Sequence, residues 1–404
     1  MKKLDDILKL YNYHLPPKLI AQSPAKPRDA ARLLIYKKRD DKIRFDRFFN
    51  LAKYLPRTNF PNMGNPKNRK LVGQISTNDK SKSVKLVRGL PKNAVLVFNQ
   101  TKVWPARLVV AKPTGGKAKI LYIDADKKGG LIKVISNKQL PIGEHVDVSL
   151  GRAKRQQLKV VGKKDGFYYL KPNFPISQIT EIMKKYGQTP IPPYIKHSPL
   201  SERKLRKEYQ SVFAKTGLSV AAPTASLHFT KHLISRLQKQ GIATSFVRLD
   251  VNLGTFAPLR EEQIKSGKLH QEFYNIDKQT AKFLNQAKRE GRPIIAVGTT
   301  VVRSLESACI PPLPARRGCP KGRRGRNFYS PLIKLQGQTD LFIKENYKFK
   351  FVDGLITNFH VPKSSLLMLT SAFVGRKKLL NLYQQAINKN FRFFSFGDGM
   401  LILP

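Results

Sequence analysis

The sequence predicts a mixed α/β (α+β) chain that carries a small all-β module, and three observations predict it. First, residues 106 to 172 contain six short runs of alternating hydrophobicity: ARLVVAK, KAKILYI, GLIKVIS, HVDVSL, QQLKVVG and FYYLKP. The turns TGG, DKKGG, PIG and KKDG separate them, a spacing that fits a small barrel or sandwich. Second, after the Pro-rich link QTPIPPYIKHSP the pattern changes to helices alternating with strands, which is α/β organisation. Third, 404 residues are long for one domain, so two are expected, and a 41% hydrophobic share argues for a folded chain despite the charge.

Taken in order, the chain opens on a helical pattern at Leu4, Ile7, Leu8 and Leu10, then YHLPP and a second short helix, PKLIAQS. SPAKPRDAARLLIY runs into a strand ending near Tyr36. Asp40 and Asp41 lie between two alternating stretches and predict a β-hairpin. Residues 57–88 are rich in Asn, Lys and Ser with little periodicity, which predicts a long loop or disordered insertion. VLVFNQTKVWPARL is a strand with a turn at Asn99 that leads into the β module. Beyond the link, FTKHLISRLQKQG is an amphipathic helix stopped by Gly241, ATSFVRLDV a strand and DKQTAKFLNQAKREG a helix. RPIIAVG is a strand and TTVVRSLESA a helix. A second insertion spans 311–335, where six of the twelve residues from Ala315 to Arg326 are Arg or Lys. It reads equally as an RNA-backbone arm or as a solvated loop. VDGLITNF is a strand before an apolar helix, and RFFSFGDGMLIL closes the chain with Asp398 in a Gly-flanked turn.

Lys and Arg number 76 against 26 acids, a formal net charge of +50. Internal pairing cannot balance such an excess, so it predicts attraction to a polyanion, nucleic acid ahead of an anionic membrane. A generally Lys-rich proteome is the other reading, since Lys is spread along the whole chain. Cys309 and Cys319 are too few for a disulfide framework or an all-cysteine zinc site, which points to a reducing compartment. MKKLDDILKL has acids within its apolar pattern and no h-region, and no apolar run nears the roughly 20 residues of a membrane span. The expectation is a soluble, cytoplasmic protein, monomeric by default.

Several segments carry groups able to do chemistry. In RPIIAVGTTVVRSLES a strand ends at Gly298 and Thr299 and Thr300 open a helix, whose free N–H groups and hydroxyls suit an anion. Arg303, one turn on, would face the same ligand, a carboxylate or a phosphate; an ordinary Thr-capped helix is the plainer reading. AAPTASLHFT sets Thr224, Ser226 and His228 on the approach to a helix, with His228 either an acid/base group or a core histidine. His270 and Glu272 in KLHQEFYNI are two apart on a strand and share a face, as proton-transfer partners or as structure. Asn358 and His360 end a strand before a Pro. No HExxH, paired CxxC or post-strand GxGxxG occurs, so no metal and no Rossmann-type methyltransferase is indicated.

Together these segments resemble the S-adenosylmethionine:tRNA ribosyltransferase-isomerases of queuosine biosynthesis. The landmarks run in family order: LPPKLIAQSPAKPRDAARLL, VLVFNQTKVWPARL, IPPYI, YQSVFA, VAAPTASLHFT, NLGTFAPL, LHQEFY, IIAVGTTVVRSLES, GQTDLFI, LITNFHVPKSSLLMLTSAF and FFSFGDGMLI. The resemblance implies a larger, barrel-like α/β domain from the discontinuous segments 1–105 and 175–404, with a small antiparallel β-barrel inserted at 106–174. It implies transfer and isomerisation of the ribosyl part of S-adenosylmethionine onto 7-aminomethyl-7-deazaguanine at the tRNA wobble position, giving epoxyqueuosine and releasing adenine and methionine. The partner implied is tRNA with a GUN-type anticodon. The donor is its own activated substrate, so neither a metal nor a redox cofactor is called for. On this reading His228, His270 and Glu272 are acid/base candidates, and Thr299, Thr300 and Arg303 bind the methionine or another anionic end. Asn358, His360, Asp398 and Thr224 line the pocket, and Arg28, Asp29 and Arg32 organise its entrance.

The sequence departs from the family pattern at Gln100 (usually Asp), Ser226 (usually Gly), Asp250 and Asn252 (often His and Gly) and Gly267 (often His). Asp250 and Gly267 remove two imidazoles, so the catalytic base is not expected there. These departures keep two other readings open. One is a non-catalytic RNA-binding protein; the other, disfavoured by the missing Gly-rich loop, is an S-adenosylmethionine methyltransferase.

Overall fold

The computed structural model describes residues 4–56, 93–126, 129–148, 156–251, 259–309 and 330–404. The expected insertion at 57–88 and residue Asn252 lie outside them, as do residues 311–329 of the second insertion. Residues 330–335 of that insertion pack back on the body. Leu332 is buried, bridges to Cys309, and exchanges hydrogen bonds with the Asn285 side chain (2.9 and 3.2 Å).

The chain alternates strands and helices around two β structures. The strands are β1 (Arg32–Lys37), β2 (Lys42–Arg47), β3 (Val95–Asn99), β4 (Thr101–Val103), β5 (Arg107–Ala111), β6 (Lys117–Asp126), β7 (Leu131–Ser136), β8 (His145–Val148), β9 (Gln156–Lys164), β10 (Phe167–Pro172), β11 (Thr216–Ser219), β12 (Ala243–Leu249), β13 (Lys268–Asn275), β14 (Ile294–Val297), β15 (Gln336–Leu341), β16 (Gly354–Asn358) and β17 (Gly399–Leu403). The helices are α1 (Leu4–Leu10), α2 (Ile179–Tyr186), α3 (Glu202–Glu208), α4 (Lys231–Lys239), α5 (Glu261–Ser266), α6 (Lys278–Arg289), α7 (Thr299–Ala308), α8 (Ser365–Val374) and α9 (Arg376–Asn388).

Nine strands form one mixed sheet in the order β15-β13-β12-β3-β14-β16-β17-β1-β2. Strands β12, β3, β14 and β16 are mutually parallel at its centre. Every residue of β3, β14, β16 and β17 is buried, as expected of strands covered on both faces. Successive side chains alternate between the two sides. Val95 and Val97 join a core that takes in Leu284, Leu305, Leu367 and Leu382 of α6 to α9. Leu96 and Phe98 join a second core with Phe48 and with Leu233 and Leu237 of α4. The hairpin read at Asp40 and Asp41 is β1–β2, with Asp41 left-handed at φ 49°.

The six runs between 106 and 172 close into an antiparallel barrel, β10-β7-β6-β5-β8-β9. Leu108, Val110, Ile120, Ile132, Val134, Leu158, Val160 and Leu170 fill it, with Ile179 and Met183 of α2 joining the same core. The barrel is inserted in the larger α/β unit, and its incoming and outgoing chains pair as Arg107 with Gln188 (2.7 and 3.2 Å). A Cβ at Gly187 would overlap the Pro105 carbonyl, so this crossing needs glycine. Among the described residues no helix is long and apolar enough to cross a membrane.

Candidate functional site

Because β3, β12, β14 and β16 run parallel, their carboxyl ends meet at one edge of the sheet, where open α/β sheets bind ligands. Asn99, at the end of β3, ties this edge together. Its Oδ1 accepts from the amides of Thr101 (3.0 Å) and Leu249 (3.1 Å). Its Nδ2 donates to Leu249 O (2.9 Å) and to Thr300 Oγ1 (3.3 Å). Next to it β14 gives way to Gly298, whose φ of +101° admits little else, and α7 starts at once.

The larger of two clefts opens at this edge. Gly298, Thr299 and Thr300 form one side, and Thr224, Asn358 and His360 another. Asn358 is the hub of its polar floor. Thr224 Oγ1 donates to Asn358 Oδ1 (2.8 Å), and Asn358 Nδ2 faces His228 Nε2 (3.2 Å) and the carbonyls of Phe394 (3.3 Å) and Asp398 (3.4 Å). His228 stacks on Phe48 with ring centroids 4.1 Å apart and is buried. Burial, then the nearby Arg392 and Arg28 charges, push its pKa down to about 3. Its imidazole is therefore neutral and accepts from Asn358. His360 is similarly brought down to about 3 by burial, with Nε2 on Thr357 Oγ1 (2.8 Å).

The opposite wall is aromatic and was missed by sequence reasoning. Tyr194, from IPPYI, and Phe394 pack 4.8 Å apart, and Tyr194 Oη shares a 2.6 Å hydrogen bond with Ser395 Oγ. All three line the cleft. Phe394 holds φ +69°, a left-handed conformation costly for an aromatic residue and typical of functional sites. Burial raises the Tyr194 hydroxyl to about 12, so it remains a donor.

A second, smaller cleft adjoins the first at Leu366, which lines both. His270 and Glu272 do share a face of β13, and both line this cleft with Arg303 of α7. Five aliphatic side chains, Leu269, Leu341, Ile343, Leu366 and Leu369, make most of its wall. Arg303 Nη1 is paired with Glu272 Oε2, and both residues are buried. Arg303 also donates from Nε to Leu341 O (3.2 Å) and from Nη2 to Thr339 O (3.2 Å). His270 is half-buried; burial, then the Arg260 charge, lower its pKa below the usual imidazole value.

The remaining candidates do not reach either cleft. Arg28 donates to Glu208 Oε2 (2.9 Å) and to the carbonyls of Lys207, Glu208 and Gln210, clamping the end of α3. Asp29 accepts from Thr230 Oγ1 (2.7 Å), the residue that caps α4. Arg32 lies 4.0 Å over the Phe391 ring and donates to Lys389 O. Asp398 accepts from the amides of Arg32 (2.9 Å) and Arg392 (2.8 Å) and is 1% exposed, so only its carbonyl meets Asn358. These four hold the frame behind the cleft.

Two of the departures from the family pattern, Asp250 and Gly267, have local explanations, and nothing in the structure explains Ser226 or Gln100. Asp250 pairs with Arg248 and accepts from Thr101 Oγ1 (2.7 Å), which fixes the end of β12. Gly267 ends α5 at φ +68°, where a side chain would be strained. Ser226 is fully buried, and its Oγ has no hydrogen-bond partner among the described residues. Gln100 uses its main chain to bond Val247 and Lys215. Among the described residues no group of three His, Cys, Asp or Glu is placed to hold a metal.

Comparison with known proteins adds the family. A family model described as "Queuosine biosynthesis protein" matches residues 8–70 and 65–402. A Carboxydothermus hydrogenoformans protein named S-adenosylmethionine:tRNA ribosyltransferase-isomerase is 39% identical over 397 residues, covering 98% of this chain and 99% of its own. One of the same name from Aquifex aeolicus is 36% identical over 393 residues, covering 97% and 98%. The crystal structure of S-adenosylmethionine tRNA ribosyltransferase from Thermotoga maritima is 28% identical, covers 98% of this chain and 100% of its own, and has a TM-score of 0.47. On the span of the family model and this identity over nearly full length, the chain belongs to the queuosine-biosynthesis ribosyltransferase-isomerases, a family of enzymes.

Proposed function

We propose that the chain transfers and isomerises the ribosyl moiety of S-adenosylmethionine onto 7-aminomethyl-7-deazaguanine in tRNA with a GUN-type anticodon. The product is epoxyqueuosine at the wobble position, with adenine and methionine released. The reading has the enzyme act as a cytoplasmic monomer, with segments 1–105 and 175–404 forming the catalytic domain around the inserted 106–174 barrel. The observation that carries it is the pair of adjoining clefts at the carboxyl edge of the parallel strands, one aromatic and polar, the other aliphatic with a charged wall. A donor with a purine at one end and an amino acid at the other needs that division.

In the larger cleft, Tyr194 and Phe394 offer ring faces to a purine-like base. Thr224, Asn358, Thr299 and Thr300 supply hydroxyl and amide groups for its edges and for the sugar. The sulfonium acidifies the neighbouring C–H and makes methionine a good leaving group, so the protein must supply a base and exclude water. His270, half-buried and with its pKa lowered by burial and by Arg260, is neutral at pH 7 and offers a lone pair for that role. His228, at about 3, is better suited to fixing Asn358 than to carrying a proton. The base to be modified must leave the anticodon stack, and the +50 charge favours the phosphates on either side of it.

The test is turnover with S-adenosylmethionine and tRNA bearing the precursor base, read by mass spectrometry for adenine, methionine and the modified nucleoside. All three products are expected. Salt-sensitive tRNA binding without adenine release would overturn the reading in favour of a binding protein, and S-adenosylhomocysteine would mark a methyltransferase.

A further inference from the structure

We infer that the smaller cleft is a pocket for the zwitterionic end of an α-amino acid with an unbranched apolar side chain: the methionyl end of the donor before reaction, and free methionine after it. The inference rests on the proposed reaction for the identity of the amino acid, and on the cleft's own chemistry for the rest. It also moves Glu272 from proton transfer to binding.

A guanidinium has five N–H donors. Arg303 spends one from each of its three nitrogens, on Leu341 O, Glu272 Oε2 and Thr339 O. One N–H therefore remains on Nη1 and one on Nη2, enough in number for the two oxygens of a carboxylate. Glu272, on the same wall, is the counterpart for an ammonium group. The carboxylate and ammonium of an amino acid are held on one carbon, so a single residue spans both partners of the ion pair. Charge balance favours the same ligand. Arg303 and Glu272 are 6% and 2% exposed and neutralise one another, so a ligand of net zero charge enters without leaving a buried charge unmatched. A phosphate or a simple carboxylate would be set against Glu272.

The rest of the wall decides the side chain. Leu269, Leu341, Ile343, Leu366 and Leu369 offer no hydrogen bond and suit a thioether chain, and beside them only His270 and Ser365 add polar groups to this part of the wall. Leu366 stands where the two clefts meet. An amino acid anchored on Arg303 would send its side chain from the aliphatic cleft towards the aromatic one, along the length of the donor.

The test uses L-methionine with 3-(methylthio)propylamine, which lacks the carboxylate, and 4-(methylthio)butanoate, which lacks the ammonium. Each is titrated into the intact protein by calorimetry and, separately, tried as an inhibitor of adenine release. L-Methionine is expected to bind and to compete with S-adenosylmethionine. Each analogue should bind at least about tenfold more weakly, the loss of one charge-assisted hydrogen bond. Arg303→Lys should reduce the discrimination against the amine analogue, since an ammonium keeps the charge but cannot reproduce the fork. Leu269→Trp, at a half-buried position, should fill the cleft and cost at least about tenfold in methionine affinity while leaving the unfolding transition in place. Equal binding of all three ligands, or unchanged methionine affinity in the folded Leu269→Trp variant, overturns the inference. Calorimetry needs no turnover. Methionine binding without adenine release would refute the proposed reaction alone, and adenine release without methionine discrimination would refute the pocket alone.

Discussion

Replacing Asn358 by Asp is the most informative single perturbation, because it changes one heavy atom and reverses the hydrogen-bond logic of the cleft floor. Oδ1 keeps the 2.8 Å bond from Thr224. The position of Nδ2 becomes an acceptor facing three others: His228 Nε2 at 3.2 Å and the carbonyls of Phe394 and Asp398 at 3.3 and 3.4 Å. His228 can relieve its own conflict by carrying a proton on Nε2; the two carbonyls cannot. Two N–H bonds are lost, at about 1 kcal/mol each, and a carboxylate is buried against carbonyl dipoles, so the cost should be about 3–5 kcal/mol. The new anion also favours the imidazolium, so the His228 pKa should climb from its value of about 3 towards the ordinary range. The assay is urea unfolding together with an NMR titration of the histidine ring nitrogens. Thr224→Val, which removes only the Oγ1 bond, should cost about 1 kcal/mol and serves as the scale. An Asn358→Asp protein within about 1 kcal/mol of the parent, with His228 still neutral at pH 4, would refute the hub role.

Other consequences can be checked alongside. His228 and His360 have folded pKa values near 3 against about 6.5 unfolded, so the unfolded chain takes protons first as pH falls. Stability conferred by these two groups is complete above pH 6.5 and lost progressively down to about pH 3, each contributing roughly 1.4 kcal/mol per pH unit within that window. Unfolding midpoints that stay flat between pH 6.5 and 4 would count against both assignments. Glu306 accepts from the amides of Lys350, Phe351 and Val352 and from Tyr347 Oη, all within 3.1 Å, and pins the approach to β16. Glu306→Gln turns an acceptor into a donor facing the Lys350 amide, also removes the carboxylate charge from the other bonds, and should cost about 3 kcal/mol in urea. Thr230→Ala removes both the α4 cap at Leu233 and the hydroxyl on buried Asp29, and should cost about 2 kcal/mol by the same measurement. Precursor-tRNA affinity should fall steeply with added salt, with a log–log slope near −0.7 for each phosphate met on a single strand, and a flat response would argue against a charge-led interface.

What the sequence made legible was local. The barrel strands alternate with period two between glycine turns, and α7 begins where Gly-Thr-Thr follows an apolar strand; both follow from backbone geometry within a short window. The fate of the charged candidates was not local. Arg303 read as a free anion ligand because Glu272, Thr339 and Leu341 lie some 30 to 40 positions away on other strands. Arg28 and Arg32 read as an entrance because α3 and the Lys389 turn lie further still. Tyr194 and Phe394 gave no periodic signal, since one sits in a Pro-rich link and the other in a left-handed turn. Asn99 did give one. A polar residue closing an otherwise apolar buried strand must have its amide satisfied, and that requirement marks the sheet edge where the cleft opens.

The position of β17 has a consequence for how the chain is made. It lies between β16 and β1, so Leu33 to Lys37 pair in parallel with Gly399 to Leu403 across nearly the whole length of the described chain. On a ribosome adding about 5–20 residues per second, β1 and β2 wait on the order of tens of seconds for that partner. Through this interval a strand with four buried apolar residues has one side open to any passing edge. The nascent protein therefore depends on whatever shields the β1–β2 hairpin until synthesis reaches Leu403. A message truncated shortly before that point would yield a chain that has both clefts encoded but a sheet interrupted between β16 and β1.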